Sequence, residues 1–334
     1  MRQAVLAGAA VLAALVAGGR AEAHHQQLVL QLKWMTQAQF AGYYVADYQG
    51  FYDEVEVSVL INPGGPDIAP AQILAGGGAN VIVDWMPSAL ASREQGVPLV
   101  NIAQPFKRSG MALTCRKDTG ITSAADLKGK TLGVWFQGNE YPFLAWMAKL
   151  GLATDGSPDG VTVLKQGSSV DPLLQKQADC ISTMSYNEYG QLLDAGLKPE
   201  DLVVFRYEDE GVATLEDGLY VLEDVLKDPD YVATLASFLR ATMRGWAWAR
   251  EHPVEAARIV LEYDTTGAQK EKPQVRMMHE VNRLVEGGNG ALDPADYERT
   301  VAILLAGGSE PVIAKPPVGA WTLAVSDAAA LGQL

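Results

Sequence analysis

The side chains best equipped for chemistry in this chain are aromatic rings and carboxylates, and they recur at one kind of position. Four short apolar runs end in a Trp or Tyr with polar neighbours. They are LVLQLKW at Trp34, NVIVDW at Asp84 and Trp85, TLGVWFQGNEY at Trp135, Asn139, Glu140 and Tyr141, and DCISTMSYNE at Tyr186 and Glu188. Gln37 and Tyr44 follow the first run on a helix-like segment, and Gly64 and Gly65 lie in the turn from Pro63 to Asp67. Flat aromatic faces suit a planar ring, at about 0.5–1.5 kcal/mol beyond area burial. Ionised carboxylates only accept hydrogen bonds, so they suit a ligand edge bearing amino or ring N–H donors. An aminopyrimidine meets both demands. Nitrate, sulfate or a sulfonate fits less well, because Lys33 is the only cation among the four strand ends. Gly64 and Gly65 either bring backbone N–H groups close to a polar ligand edge or simply make a turn. Each ring also fits a core role taken singly; it is the coincidence of four strand ends that favours a binding cleft.

Strand ends converge on a ligand when the strands belong to open α/β sheets, where binding sites lie outside the carboxyl ends. Strand-like and helix-like segments alternate from Leu28 to about Leu226, which implies parallel sheets with crossover helices. The pattern restarts near Phe106 to Gly110. Beyond Leu226, Tyr231 to Arg250 and Pro253 to Tyr263 read as long amphipathic helices, with Val232, Leu235, Phe238, Leu239, Met243 and Trp246 at helical spacing. Packed back on the first domain, they make that domain discontinuous. The expected fold is therefore α/β, two doubly wound domains joined by a two-crossing hinge, with domain I formed by 24–107 plus 224–334 and domain II by 108–223.

Residues 1–23 read as an export signal: Arg2, an apolar stretch from Ala4 to Ala17, and the small-x-small site Ala21-Glu22-Ala23. The stretch is shorter than the roughly 20 residues of a bilayer span, and no Cys stands at its end, so a periplasmic product cleaved after Ala23 is expected. Cleavage removes a net +1 and moves the formal charge from −14 to −15. Nucleic acid is a poor partner for such a chain. Cys115 and Cys180 each lie in a strand-like run; an oxidising compartment permits a bridge, and buried free thiols fit as well.

The runs QLKWMTQAQFAGYYVADYQGFYDE, NPGGPDIAPAQILAGGGANVIVDWMPSALASREQGVPLVNIAQ and DLKGKTLGVWFQGNEYPFLAWMAKLG resemble one family. It is that of the periplasmic solute-binding proteins of ABC importers, in the branch that serves thiamine-pyrimidine precursors, sulfonates and nitrate. The resemblance implies a type II periplasmic binding fold, a small-molecule ligand, a membrane permease as partner and a monomer in solution. The loop Trp135-Phe136-Gln137-Gly138-Asn139-Glu140 departs from a Gly-Trp-Gly-Ser type run. A carrier for another heterocycle, such as riboflavin or a pyrimidine-breakdown compound, thus stays open beside the aminopyrimidine.

An enzyme is the rival class, because by resemblance a eukaryotic pyrimidine synthase shares this fold. That chemistry relies on histidine and a cysteine-rich stretch. Here His24, His25, His252 and His279 lie away from every strand end, and no phosphate loop, dinucleotide fingerprint, zinc motif or nucleophile elbow occurs. No catalytic residue, metal or cofactor is expected. A sensor domain would use the same cleft and dock to a receptor instead of a permease.

Overall fold

Runs such as Val81 to Asp84 and Met111 to Cys115 are buried at every position, as central strands covered on both faces must be. The computed structural model describes residues 26–306 and 311–331; the expected export signal lies outside them. The strands are β1 (Gln26–Gln31), β2 (Val57–Asn62), β3 (Val81–Asp84), β4 (Leu99–Ala103), β5 (Met111–Arg116), β6 (Thr131–Val134), β7 (Thr162–Lys165), β8 (Cys180–Met184), β9 (Leu202–Arg206) and β10 (Gly218–Leu222). They form two five-stranded sheets, in the orders β2-β1-β3-β10-β4 and β7-β6-β8-β5-β9.

Neither sheet is wholly parallel. β10 runs antiparallel to β3 and β4, and β5 antiparallel to β8 and β9. These are the two strands that follow a crossing between sheets. A chain that leaves one sheet at the carboxyl end of a strand arrives beside the carboxyl ends of the other, so its first strand must run away from the cleft. β10 also corrects the expected boundary. The sequence pattern places residues 218–222 in domain II, yet they pair within the first sheet, so the chain is back in the first domain by Gly218.

The later helices cover the first sheet. Helix Pro229–Glu251 starts at Asp228, whose carboxylate accepts from the Asp230 N–H at 2.9 Å. It crosses helix Ala41–Tyr48 so closely that a Cβ on Gly245 would collide with the Gly42 carbonyl. Tyr43 meets Trp246 edge-on at 5.7 Å and Tyr52 stacks on Phe238 at 5.5 Å, so Trp246 is core. Cys115 and Cys180 are register partners on β5 and β8 and form a disulfide, Cα to Cα 3.9 Å. Among the described residues, no helix is long and apolar enough to cross a membrane.

Two crossings join the domains, 104–110 after β4 and 207–217 after β9. They are stitched together by Glu216, whose carboxylate accepts from Ser109 Oγ at 2.5 Å and from the N–H groups of Gly110 and Met111 at 3.1 and 3.3 Å. Burial pushes this carboxyl up to about 8, against those donors. Arg108 and Glu208 add an ion pair at 2.6 Å on the solvent side.

Candidate ligand-binding site

The carboxyl ends of β1 and β3 in one domain face those of β6 and β8 in the other, and a slot lies between them. The first domain contributes Lys33, Trp34, Gln37, Gln39 and Trp85; the second contributes Trp135, Asn139, Met184, Tyr186 and Glu188. The unfilled space is about 310 Å3, its mouth included. Trp34 and Trp135 meet edge-to-face at 6.1 Å with 63° between planes. That is not a gap between parallel rings, so a planar ligand here rests on one indole face and is bordered by ring edges. Trp135 is fixed by its Nε1–H donating to the Gly167 carbonyl at 3.0 Å. Asn187 of the second domain reaches Gln37 of the first at 3.4 Å, which closes one side.

Charge at the slot is arranged in two buried groups. In the first, Asp84 accepts from Lys33 Nζ at 2.5 Å, from the Trp85 N–H at 2.8 Å and from Ser88 Oγ at 3.0 Å. Lys33 also lies 5.4 Å over the Trp85 ring. In the second, Asp217 accepts from Gln39 Nε2 at 2.6 Å and Trp85 Nε1 at 3.1 Å, and Gln37 donates to Gln39 at 2.6 Å. Burial lifts Asp217 to about 6 against the pull of Gln39, Lys33 and Trp85. Across the slot, Glu188 is lifted to about 7, again by burial, although it accepts from the Met184 N–H at 2.9 Å and Asn187 Nδ2 at 2.8 Å. With Lys33 already paired, the net charge around the slot is negative or neutral, which disfavours an oxyanion.

The structure brings together Trp34, Gln37, Trp85, Trp135, Asn139, Tyr186 and Glu188 of the residues expected from sequence, and separates the others. Asp84 is fully buried and saturated by Lys33, Trp85 and Ser88, so it holds the wall instead of meeting a ligand. Tyr44 points into the core, its hydroxyl 3.0 Å from Thr36 Oγ1 and its ring 4.8 Å from Tyr263. Gly64 donates to the Trp34 carbonyl at 2.8 Å and lies too close to the Lys33 backbone to carry a Cβ, and Gly65 begins the turn back to Ile68. Both support the strand end from behind. Glu140 and Tyr141 fall beyond the Gln137–Gly138 turn and line a neighbouring space.

A family model described as "NMT1/THI5 like" matches residues 37–256. The chain belongs to this family. It is 27% identical to the riboflavin-binding protein RibY of Chloroflexus aurantiacus, over 71% of this chain and 66% of that protein. It is 25% identical to the formylaminopyrimidine-binding protein of Halalkalibacterium halodurans, over 70% and 69%. The chain thus spans about two thirds of the length of these relatives. A protein of Legionella pneumophila named 4-amino-5-hydroxymethyl-2-methylpyrimidine phosphate synthase is 23% identical over 75% of each chain. Among solved structures, the periplasmic aliphatic sulphonate binding protein SsuA of Escherichia coli has TM-score 0.62 at 14% identity, covering 84% of this chain and 85% of that one. One from Bordetella bronchiseptica RB50 has TM-score 0.70 at 18% identity, over 92% and 98%. These likenesses show the fold: the two five-stranded α/β domains of this chain form a two-domain type II periplasmic binding fold.

Sequence reasoning places Lys33 among the strand ends without making it a site residue, and misses Gln39, Met184 and Asp217 in this family member. Lys33 adjoins Trp34, and Gln39 lies two residues past Gln37; either was within reach of the strand-end argument. Glu216-Asp217 immediately before the GLYVL strand is an acid pair at a strand's amino end. An antiparallel strand that begins at the cleft edge makes such a pair part of the site. Among the described residues, no group of three or more His, Cys, Asp or Glu is placed to hold a metal ion.

Proposed function

We propose that this chain is the periplasmic solute-binding component of an ABC importer and carries a small planar heterocycle, of the thiamine-precursor aminopyrimidine kind, in the slot between its domains. The observation that carries this reading is the slot's composition: three indoles and a tyrosine ring surround a space whose polar wall is two glutamines, an asparagine, Glu188 and the Asp84-paired Lys33. Such a wall offers one flat apolar face and several acceptors, the complement of a ring edged with amino groups. The relatives that bind formylaminopyrimidine and riboflavin support a nitrogen heterocycle, and the negative or neutral charge around the slot argues against a sulfonate.

The chain acts as a monomer whose domains close about the crossings at 104–110 and 207–217, and the closed face is what a permease reads. The fold of periplasmic neighbours and the signal-like residues 1–23 support export. Carriage, not turnover, is the reading favoured by a slot lined with amides, aromatic rings, a single carboxylic acid and a lysine already paired with Asp84. The relative named as a synthase makes ligand recovery the necessary control. The test is calorimetric titration of the purified mature chain with aminopyrimidines, flavins, sulfonates and nitrate, followed by mass spectrometry of the released ligand. Binding of a pyrimidine or flavin and its recovery intact is the expected result. Binding of sulfonates alone, or a changed product, overturns it.

A further inference from the structure

Helix Glu271–Val285 belongs to the first domain, packed on helix Pro253–Tyr263, and it reaches both sides of the slot. Gln274 accepts from the Ala38 N–H at 2.6 Å, between Gln37 and Gln39 of the slot wall. Two residues on, Arg276 crosses to the second domain. Its Nη1 and Nη2 donate to Oδ1 and Oδ2 of Asp194 at 2.9 and 2.7 Å, a fork on a carboxylate. Asp194 ends helix Glu188–Asp194, whose first residue is the acid of the slot; Asn187, just before it, reaches Gln37. One helix of the first domain therefore grips the segment that carries Gln37 and Gln39 and, through Arg276, the far end of the helix that presents Glu188.

The second helix is built to receive this grip. Gly190 sits in its interior, where glycine costs about 0.5–1 kcal/mol against alanine. No positive φ calls for glycine there. The reason is space: a Cβ on Gly190 would lie 2.5 Å from Arg276 Nε and 2.6 Å from Nη2, so only a bare backbone lets the guanidinium settle beside Asp194. A second ion pair between the domains, Lys165 with Asp67, has no such preparation. It is a single contact at 3.1 Å between side chains 63% and 75% exposed, against 32% and 45% for Arg276 and Asp194. The groove beside the fork is lined by Arg206 of the second domain and by Arg276, Glu280 and Arg283 of the first. Closure gathers three guanidinium groups around that groove, and Asp194 offsets part of their repulsion.

We propose that Arg276, Gly190 and Asp194 form a clasp between the domains, with Arg276 a positioning residue for the closed slot. Arg276 lines no part of the slot. By holding the helix of Glu188 against the segment of Gln37 and Gln39, it sets the balance between closed and open chain. The inference rests on reading the slot as a binding site between closing domains, and it holds whichever ligand the slot takes.

The test reads closure directly in the full mature chain. Spin labels on Glu262→Cys and Glu200→Cys, exposed positions in the first and second domains, report the interdomain distance by double electron–electron resonance. The closed-to-open ratio is measured without ligand. Asp194→Asn and Arg276→Gln should each lower it about threefold to fivefold, and about 1 M salt should do the same to the native chain and add little in the variants. Gly190→Ala should lower the ratio as far, by displacing the guanidinium, while its melting temperature holds or rises because alanine is the better helix former. A role confined to the helix would raise melting and leave the ratio alone. Asp67→Asn is the control and should shift the ratio less than about twofold. A native chain with no closed population, a ratio that Asp194→Asn and Gly190→Ala leave unchanged, or an equal loss in Asp67→Asn overturns the clasp. Titration with riboflavin and with 4-amino-5-hydroxymethyl-2-methylpyrimidine separates this from the ligand reading. If neither binds while the ratios shift as expected, the heterocycle fails and the clasp stands; if one binds and the ratios do not move, the reverse holds.

Discussion

Glu188→Gln separates a ligand-facing acid from a structural one. Glu188 is buried, and its folded-state value of about 7 stands above an ordinary 4.5, so the native state holds its proton more tightly than the unfolded chain does. A raised carboxyl contributes its full stability below the unfolded value and loses it as pH rises toward the folded one. Between pH 5 and pH 8 that loss is on the order of 2–3 kcal/mol. Glutamine keeps the side-chain length and has no proton to lose. Measured by denaturant unfolding, the variant should gain on the order of 2–3 kcal/mol relative to the native chain between pH 5 and pH 8, over a pH-independent cost of setting its NH2 against the Met184 N–H or Asn187 Nδ2. The contributions of Glu216 and Asp217 cancel in the difference. Ligand affinity should move the other way. Losing a charge-assisted acceptor costs about 1.5–3 kcal/mol, roughly a ten- to hundredfold rise in Kd at pH 8 by calorimetry. Equal destabilisation at both pH values with unchanged affinity would refute the reasoning and reduce Glu188 to an acceptor for the Met184 N–H and Asn187.

Trp135→Phe keeps a ring but removes the bond to the Gly167 carbonyl that orients it; calorimetry should show affinity reduced about tenfold, roughly 1.4 kcal/mol, with little change in melting. Glu216→Gln turns one of the two acceptor oxygens into an NH2, so at least one of Ser109, Gly110 and Met111 loses its acceptor; unfolding near pH 5, well below the raised value of Glu216, should show a loss of about 1–3 kcal/mol. The double variant Cys115→Ala/Cys180→Ala opens a loop of 65 residues; chain entropy predicts about 4 kcal/mol lost, and the remaining transition should be indifferent to reductant.

The strand ends were legible because burial and chemistry alternate abruptly there: NVIVDW changes from fully apolar to acid and indole within two residues. That signal located Trp34, Trp85, Trp135 and Tyr186 in the slot, and Glu188 one turn on. It did not say which way a side chain points. Asp84 and Glu140 sit at equivalent places in their runs, yet Asp84 turns toward Lys33 across β1 and β3, and Glu140 turns back on its own Gly138. An acid at a strand end is read correctly only when the partner beside it in the sheet is known. Tyr44 and Gly64 failed for the same reason, since their contacts, with Tyr263 and with the Lys33 backbone, come from outside their own segments. The alternation of elements gave the two α/β domains but not the antiparallel strands after each crossing, because direction depends on where the chain enters a sheet.

That entry point also sets hinge and slot side by side. β10 begins at the cleft, so the two residues before it occupy the crossing and the site at once. Glu216 binds Ser109 and Gly110 of the other crossing and Met111 at the start of β5, while Asp217, its neighbour, binds Gln39 and Trp85 of the slot. Asp217 stays with the first domain: its neighbour Gly218 pairs with Asp84, the residue before Trp85, and both of its donors, Gln39 and Trp85, belong to that domain. The bonds that span the two crossings are those of Glu216 to Ser109, Gly110 and Met111, so a movement of one domain against the other is felt at Glu216, while the acceptor that holds the Trp85 indole is carried with the first domain.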